Sequence, residues 1–200
     1  MTSIALILFA FFCGSLPFSV WLGNIFLGLD IRQFGDGNPG ATNVFRAGNN
    51  LIGLFALMLD ISKAAAPVGL AYYSLDIRGF PMLLIAIAPL LGSVFSPFLG
   101  FKGGKSIATA LGVWIGLTIW KASLPGVLAA LIGVVLFTPP GWSVMLGLGG
   151  ILVTLLLWLP DPLLIWVWVF QLIILAWTHR DDLHHAPKLR LRSSKENPKK

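Results

Sequence analysis

Residues 3–27, SIALILFAFFCGSLPFSVWLGNIFL, run for 25 positions without a charged side chain. A helix needs about 20 apolar residues to cross the hydrocarbon core of a bilayer, so this run alone is long enough. Further apolar runs follow at 51–75, 80–99, 107–121, 123–138, 144–159 and 162–178. The pattern predicts an all-α polytopic membrane protein with about seven transmembrane helices. The later runs are short for a perpendicular span, so six longer spans are the alternative. Pro139-Pro140-Gly141 and Pro160-Asp161-Pro162 predict breaks between runs. An apolar fraction of 56% with only 11% charged residues excludes an ordinary soluble domain. The first run lacks a charged leader, so a cleaved signal peptide is not expected. Cys13 stands alone, which predicts neither a disulfide framework nor a metal cluster. Residues 1–187 are expected to form one transmembrane domain.

Lysine and arginine set the orientation. In the seven-span arrangement Arg32, Arg46, Lys102, Lys105 and the basic tail share one side, with Arg78 and Lys121 on the other. The first side is therefore cytoplasmic and the N-terminus lies outside. Residues 188–200 read as a disordered cationic tail against anionic lipid.

The polar residues are few and clustered. Loop 28–50, GLDIRQFGDGNPGATNVFRAGNN, is richer in glycine and asparagine than a connector requires. Such a loop can present bare backbone N–H groups to an anion, with Arg46 as a forked partner. GFKGGKSIATALG, residues 100–112, sets Lys102 and Lys105 among glycines at the rim of the membrane. It is not a nucleotide P-loop, because the glycine that motif requires falls at Leu99. Asp60 and Lys63 stand three residues apart inside a span, where an ion pair and a site role both remain open. Pro17 predicts a kink in the first span, with Ser15 beside it. His179 closes the last span as an acid–base group, a phosphate donor or a cap. Both loops and the 179–182 cluster fall on the same predicted membrane face.

Taken together, GSLPFS, DIRQFGDGNPGATNVFRAGN, DISKA, FKGGKSIATALG and HRDDL resemble the bacterial acyl-phosphate-dependent glycerol-3-phosphate acyltransferases. The resemblance covers almost the whole chain. It implies a multi-pass protein of the inner membrane that transfers a fatty acyl group from acyl phosphate to glycerol-3-phosphate. The products would be lysophosphatidic acid and phosphate. By this resemblance Lys105, His179 and Asn38 are catalytic. Arg46, Lys102, Gly37, Gly40, Thr42, Asn43, Gly103, Gly104, Asp36 and Asp182 bind substrate. No metal, cofactor or nucleic acid is implied, and a monomer among membrane lipids is expected. Asp36 stands where the family carries serine, Ser106 where it carries glycine, and Asp182 where it carries asparagine. An ionised carboxylate beside a phosphate repels it by roughly 3 kcal/mol per unit-charge pair at about 5 Å and an effective dielectric of about 20. Those departures leave a different polar acceptor or a non-catalytic paralogue open, and seven spans with broken helices and polar loops leave a lipid or small-molecule transporter open, though no inverted repeat supports it.

Overall fold

The computed structural model describes residues 3–190, which divide after Leu117 into two compact units. The first unit begins with α1 (Ser3–Ser15) and α2 (Phe18–Leu22), separated at the predicted break by Leu16 and Pro17. A wide turn, Gly23–Leu27, and a short 3-10 turn, Ile31–Gln33, lead to α3 (Ala41–Arg46). Loop 28–50 is thus a folded segment. Its buried Ile31 and Val44 pack with Val20 of α2 and Ala56 of α4. Then come α4 (Asn50–Gly69), extended by a turn to Ser74, α5 (Gly79–Val94), a 3-10 turn at Pro97–Leu99, and α6 (Ile107–Thr118). Asn49 starts α4 by accepting the Ile52 N–H at 2.9 Å.

The second unit holds α7 (Ser123–Leu136), α8 (Gly141–Trp158), α9 (Pro162–Thr178) and α10 (Arg180–Leu183). Pro139 and Pro140 separate α7 from α8, and Asp161 caps α9 through the Leu163 N–H at 2.8 Å. β1 (Phe137–Thr138) and β2 (Lys188–Leu189) form a two-stranded antiparallel ladder. That ladder is the departure from an all-helical chain, and it pairs the first two residues of the tail expected to be disordered. Residues 191–200, the rest of that tail, lie outside the described residues.

Every apolar run forms a helix. Four helical stretches are long and apolar enough to cross a membrane: Ser3–Leu27, Asn50–Ser74, Gly79–Leu99 and Gly141–Trp158. The apolar helices Ile107–Thr118, Ser123–Leu136 and Pro162–Thr178 are shorter. Large side chains such as Ile4, Phe12, Phe55, Leu131 and Trp166 face outward, whereas Ala10, Ala56 and Ala64 are fully buried. Small residues set the helix contacts, as expected where lipid supplies no hydrophobic drive between helices. A Cβ on Gly14 would overlap Pro89 of α5, and one on Gly92 would overlap the Phe11 carbonyl of α1. In the second unit Gly126 and Gly147 allow α7 and α8 the same close approach.

Candidate active site

The break in α1 begins the site. Pro17 has no N–H, and the chain turn leaves carbonyls of the preceding residues without helical partners. Side chains from other elements supply the donors. Ser96 Oγ donates to Ser15 O at 2.6 Å, and Lys63 Nζ donates to Leu16 O at 2.9 Å. Lys63 also pairs with Asp60 at 2.8 Å, and Asp60 in turn accepts from Ser19 Oγ of α2. Both charged side chains are 7% exposed. The sequence left an ion pair and a site role open for these two, and the pair forms.

Beside this break lies a cavity of about 190 Å³, entirely within the first unit. Leu16, Leu57, Leu99 and Leu111 give it an apolar wall; Ser15, Ser93, Ser96, Thr109, Asp60 and Lys63 give it polar points. Asn38, Gly40, Thr42, Gly104, Lys105 and Ser106 also line it. The two glycine-rich segments meet here, because Asn38 Oδ1 accepts the Lys105 N–H at 2.9 Å.

Asp36, Asn43 and Arg46 are tied to the same point. Asp36 Oδ2 lies 3.1 Å from Lys105 Nζ, and Oδ1 lies 3.9 Å from an Arg46 nitrogen. Asn43 Nδ2 donates to Asp36 Oδ1 at 3.2 Å and to Asn38 O at 2.9 Å, while Arg46 donates to Asn43 Oδ1 at 3.2 Å. Gly35 makes room for this: a Cβ there would overlap Arg46 and Asn43, and its φ of +60° lies in the left-handed region that glycine adopts without strain. Partial burial pushes the Asp36 carboxyl up, but the bonds from Lys105, the Asn38 N–H and Asn43 outweigh it. The group therefore lies below the usual aspartate range and is ionised at neutral pH. Asp36 is thus a counter-ion to Lys105.

Other expected residues are placed differently. The N–H groups of Gly103 and Gly104 donate to Val94 O and Ser93 O, closing the end of α5. A Cβ on Gly103 would overlap the Ser93 carbonyl, so close backbone approach accounts for that glycine. The Gly37 N–H donates to Phe34 O, and Lys102 is exposed. Ser106 adopts a left-handed φ of +61°. In the second unit, His179 is 2% exposed, with Nδ1 2.9 Å from Leu175 O. A carbonyl only accepts, so that contact places a proton on Nδ1. The Asp182 side chain packs against Gly141, at the first turn of α8, where a helix dipole favours a carboxylate. Ser96 and Thr109 were not legible in the sequence, because single hydroxyls in apolar stretches carry no pattern.

A family model described as glycerol-3-phosphate acyltransferase matches residues 4–187. The glycerol-3-phosphate acyltransferase of Anaeromyxobacter sp. (strain Fw109-5) is 43% identical over 128 residues, which is 60% of this chain and 62% of the relative. That of Nitrosospira multiformis is 44% identical over 135 residues, 66% of this chain and 65% of the relative. The matches thus span about three fifths of the length of these curated relatives. The crystal structure of PlsY (YgiH), an integral membrane glycerol 3-phosphate acyltransferase in its glycerol 3-phosphate form, superposes with a TM-score of 0.80 at 28% identity. It covers 99% of this chain and 96% of that one. The lysophosphatidic acid form gives 0.79 over 96% and 93%.

Proposed function

The chain belongs to the glycerol-3-phosphate acyltransferase family, and we propose that it transfers a fatty acyl group from acyl phosphate to the 1-hydroxyl of glycerol-3-phosphate. The observation that carries this reading is the bond between Asn38 and the Lys105 N–H. It draws two glycine-rich segments to one cavity lined by Lys105 and by apolar side chains. Such a cavity suits an amphiphile with a phosphoryl head. The glycerol 3-phosphate and lysophosphatidic acid forms of PlsY agree with it.

In the reaction the acceptor oxygen attacks the acyl carbon and forms the new C–O bond. The bond from the acyl carbon to the phosphate oxygen breaks, and phosphate leaves with the electron pair and takes the acceptor's proton. Lys105 and Arg46 hold phosphoryl oxygens and stabilise the charge that develops on the leaving group. Asn38 and Thr42 line up the reacting groups, which replaces much of the entropy cost of bringing two molecules together. Lys102 adds positive charge at the entrance. No side-chain nucleophile is invoked, so no covalent acyl-enzyme forms.

The reading includes seven spans, the N-terminus outside, both glycine-rich loops and the C-terminus cytoplasmic, and a monomer in the inner membrane. Purified protein mixed with acyl phosphate and a panel of glycerol-3-phosphate, glycerol and amino-alcohols tests the chemistry by phosphate release. Release that depends on glycerol-3-phosphate supports it. Release with another acceptor alone would reassign the substrate, and none with any acceptor would favour a non-catalytic paralogue. Cysteine labelling at Asn49 and Ser106 in a Cys13-free variant tests the sidedness, and opposite accessibility of the two would defeat it.

A further inference from the structure

An ammonium group has three N–H donors. Two of those on Lys63 are engaged, by Leu16 O at 2.9 Å and by Asp60 Oδ1 at 2.8 Å. The residue lines the same cavity as Lys105 and Asn38. Lys63 stands thirteen residues past the start of α4, roughly 20 Å along its axis at about 1.5 Å per residue. Its side chain leans back toward the helix N-terminus, and so toward the end of α4 that adjoins the glycine-rich loop.

Charge balance separates this lysine from Lys105. Asp60 neutralises Lys63 at contact distance, within an environment where both side chains are nearly enclosed. A neutral pair offers little net attraction to a phosphate dianion. It offers much to an oxygen that is uncharged in the substrate and becomes negative only as the reaction proceeds, because its dipole is already fixed. An acyl carbonyl is such an oxygen.

Resting on the acyl-transfer reading above, we propose that Lys63 is a further catalytic residue, donating its third N–H to the acyl carbonyl oxygen. When the acceptor attacks, the carbonyl π pair moves onto that oxygen. When the intermediate collapses, the pair returns, the bond to phosphate breaks, and phosphate departs with its electrons and the acceptor's proton. Lys63 keeps all three protons throughout. Asp60, Ser19 and the Leu16 carbonyl hold the ammonium in position.

The test separates contact with the carbonyl from support of the fold. Two unreactive probes of equal chain length are used: a long-chain acyl phosphonate, which has the carbonyl, and an alkyl phosphonate, which lacks it. The variant is Lys63→Met with Asp60→Asn, which removes both charges together and leaves neither buried alone. The wild type should bind the acyl probe more tightly than the alkyl probe. The variant should lose about tenfold or more of that preference, the scale of one lost charge-assisted bond, while its affinity for the alkyl probe stays the same. Its kcat should fall about 100-fold with little change in KM for glycerol-3-phosphate. Equal weakening of both probes would make Lys63 merely structural and overturn the proposal, as would an unchanged preference or an unchanged kcat. If the double variant does not fold, Lys63→Arg keeps the ion pair, moves the donor, and is judged by the same loss of preference. Wild-type protein that releases no phosphate would defeat the acyl-transfer reading instead, and the preference between the probes would still decide whether Lys63 meets a carbonyl.

Discussion

Two lysine–aspartate pairs serve one cavity and differ in almost everything else. Lys105 and Asp36 lie 3.1 Å apart with side chains 30% and 43% exposed. Lys63 and Asp60 lie 2.8 Å apart with both 7% exposed. The first pair sits among Arg46 and the amides of Asn38 and Asn43, with water and salt at hand to screen it. The second is clasped by a hydroxyl and a carbonyl from a broken helix. An exposed pair is held weakly and can be exchanged for a substrate anion. A buried pair is held because either member alone would be an uncompensated charge. The mouth of the cavity is therefore built to trade partners, and its depth is built to keep them.

The harshest way to break the comparison is at depth. Asp60→Asn leaves Lys63 buried without its counter-ion, and should cost about 3–5 kcal/mol of stability. Thermal unfolding in detergent measures this, and a loss as small as that of a surface change would show that water reaches Lys63. At the mouth, Lys105→Ala should leave the protein folded and lower kcat/KM by about 100-fold or more, roughly 3 kcal/mol of transition-state stabilisation. Near-normal turnover would remove Lys105 from the site.

A smaller effect sharpens the contrast. Asp36→Ser frees Lys105 and Arg46 from an internal anion, so KM for glycerol-3-phosphate should fall by about three- to tenfold at low ionic strength and less at high salt. The sign with pH follows from the lowered Asp36 carboxyl. Its contribution to stability is complete above the ordinary aspartate range and is lost as pH falls through the lowered value. Wild type should lose that increment in acid and Asp36→Ser should have none to lose, as paired acid titrations of stability would show. A rise in KM on Asp36→Ser would mean that the carboxylate positions Lys105 for substrate and does not compete with it. The smallest effect is at Ser106, whose φ of +61° disfavours a side chain. Ser106→Gly should raise stability by about 1 kcal/mol, and a fall in the unfolding temperature would show that the serine hydroxyl outweighs the backbone strain.

The same contrast explains what the sequence made legible. Pro17, the apolar runs and the Pro139-Pro140 break act locally, and each appears where the chain predicts it. Asp60 and Lys63 stood out because charges inside a span are rare. Their partners did not, because Ser19 and the Leu16 carbonyl reach them only through the packing of α2 and α4. The glycine-rich segments announced a site, yet the sequence could not say how their N–H groups are used. Gly103 and Gly104 turn out to close α5, a role decided by chain neighbours nine and eleven residues away. Asp36 read as an obstacle to phosphate, whereas its contact with Lys105 depends on an approach across 69 residues, from 36 to 105, that no local pattern encodes.

The bond from Asn38 to the Lys105 N–H spans 67 residues. A ribosome adding about 5–20 residues each second needs roughly 3–13 s to make that stretch. The Ser19–Asp60 contact, across 41 residues, can close earlier. The first helical hairpin can therefore enter the bilayer with its buried charges already matched. The mouth is completed only after another hairpin's worth of chain has been made. A nascent chain halted between these points would carry a finished floor under an unfinished entrance, so it could not begin turnover while still being built.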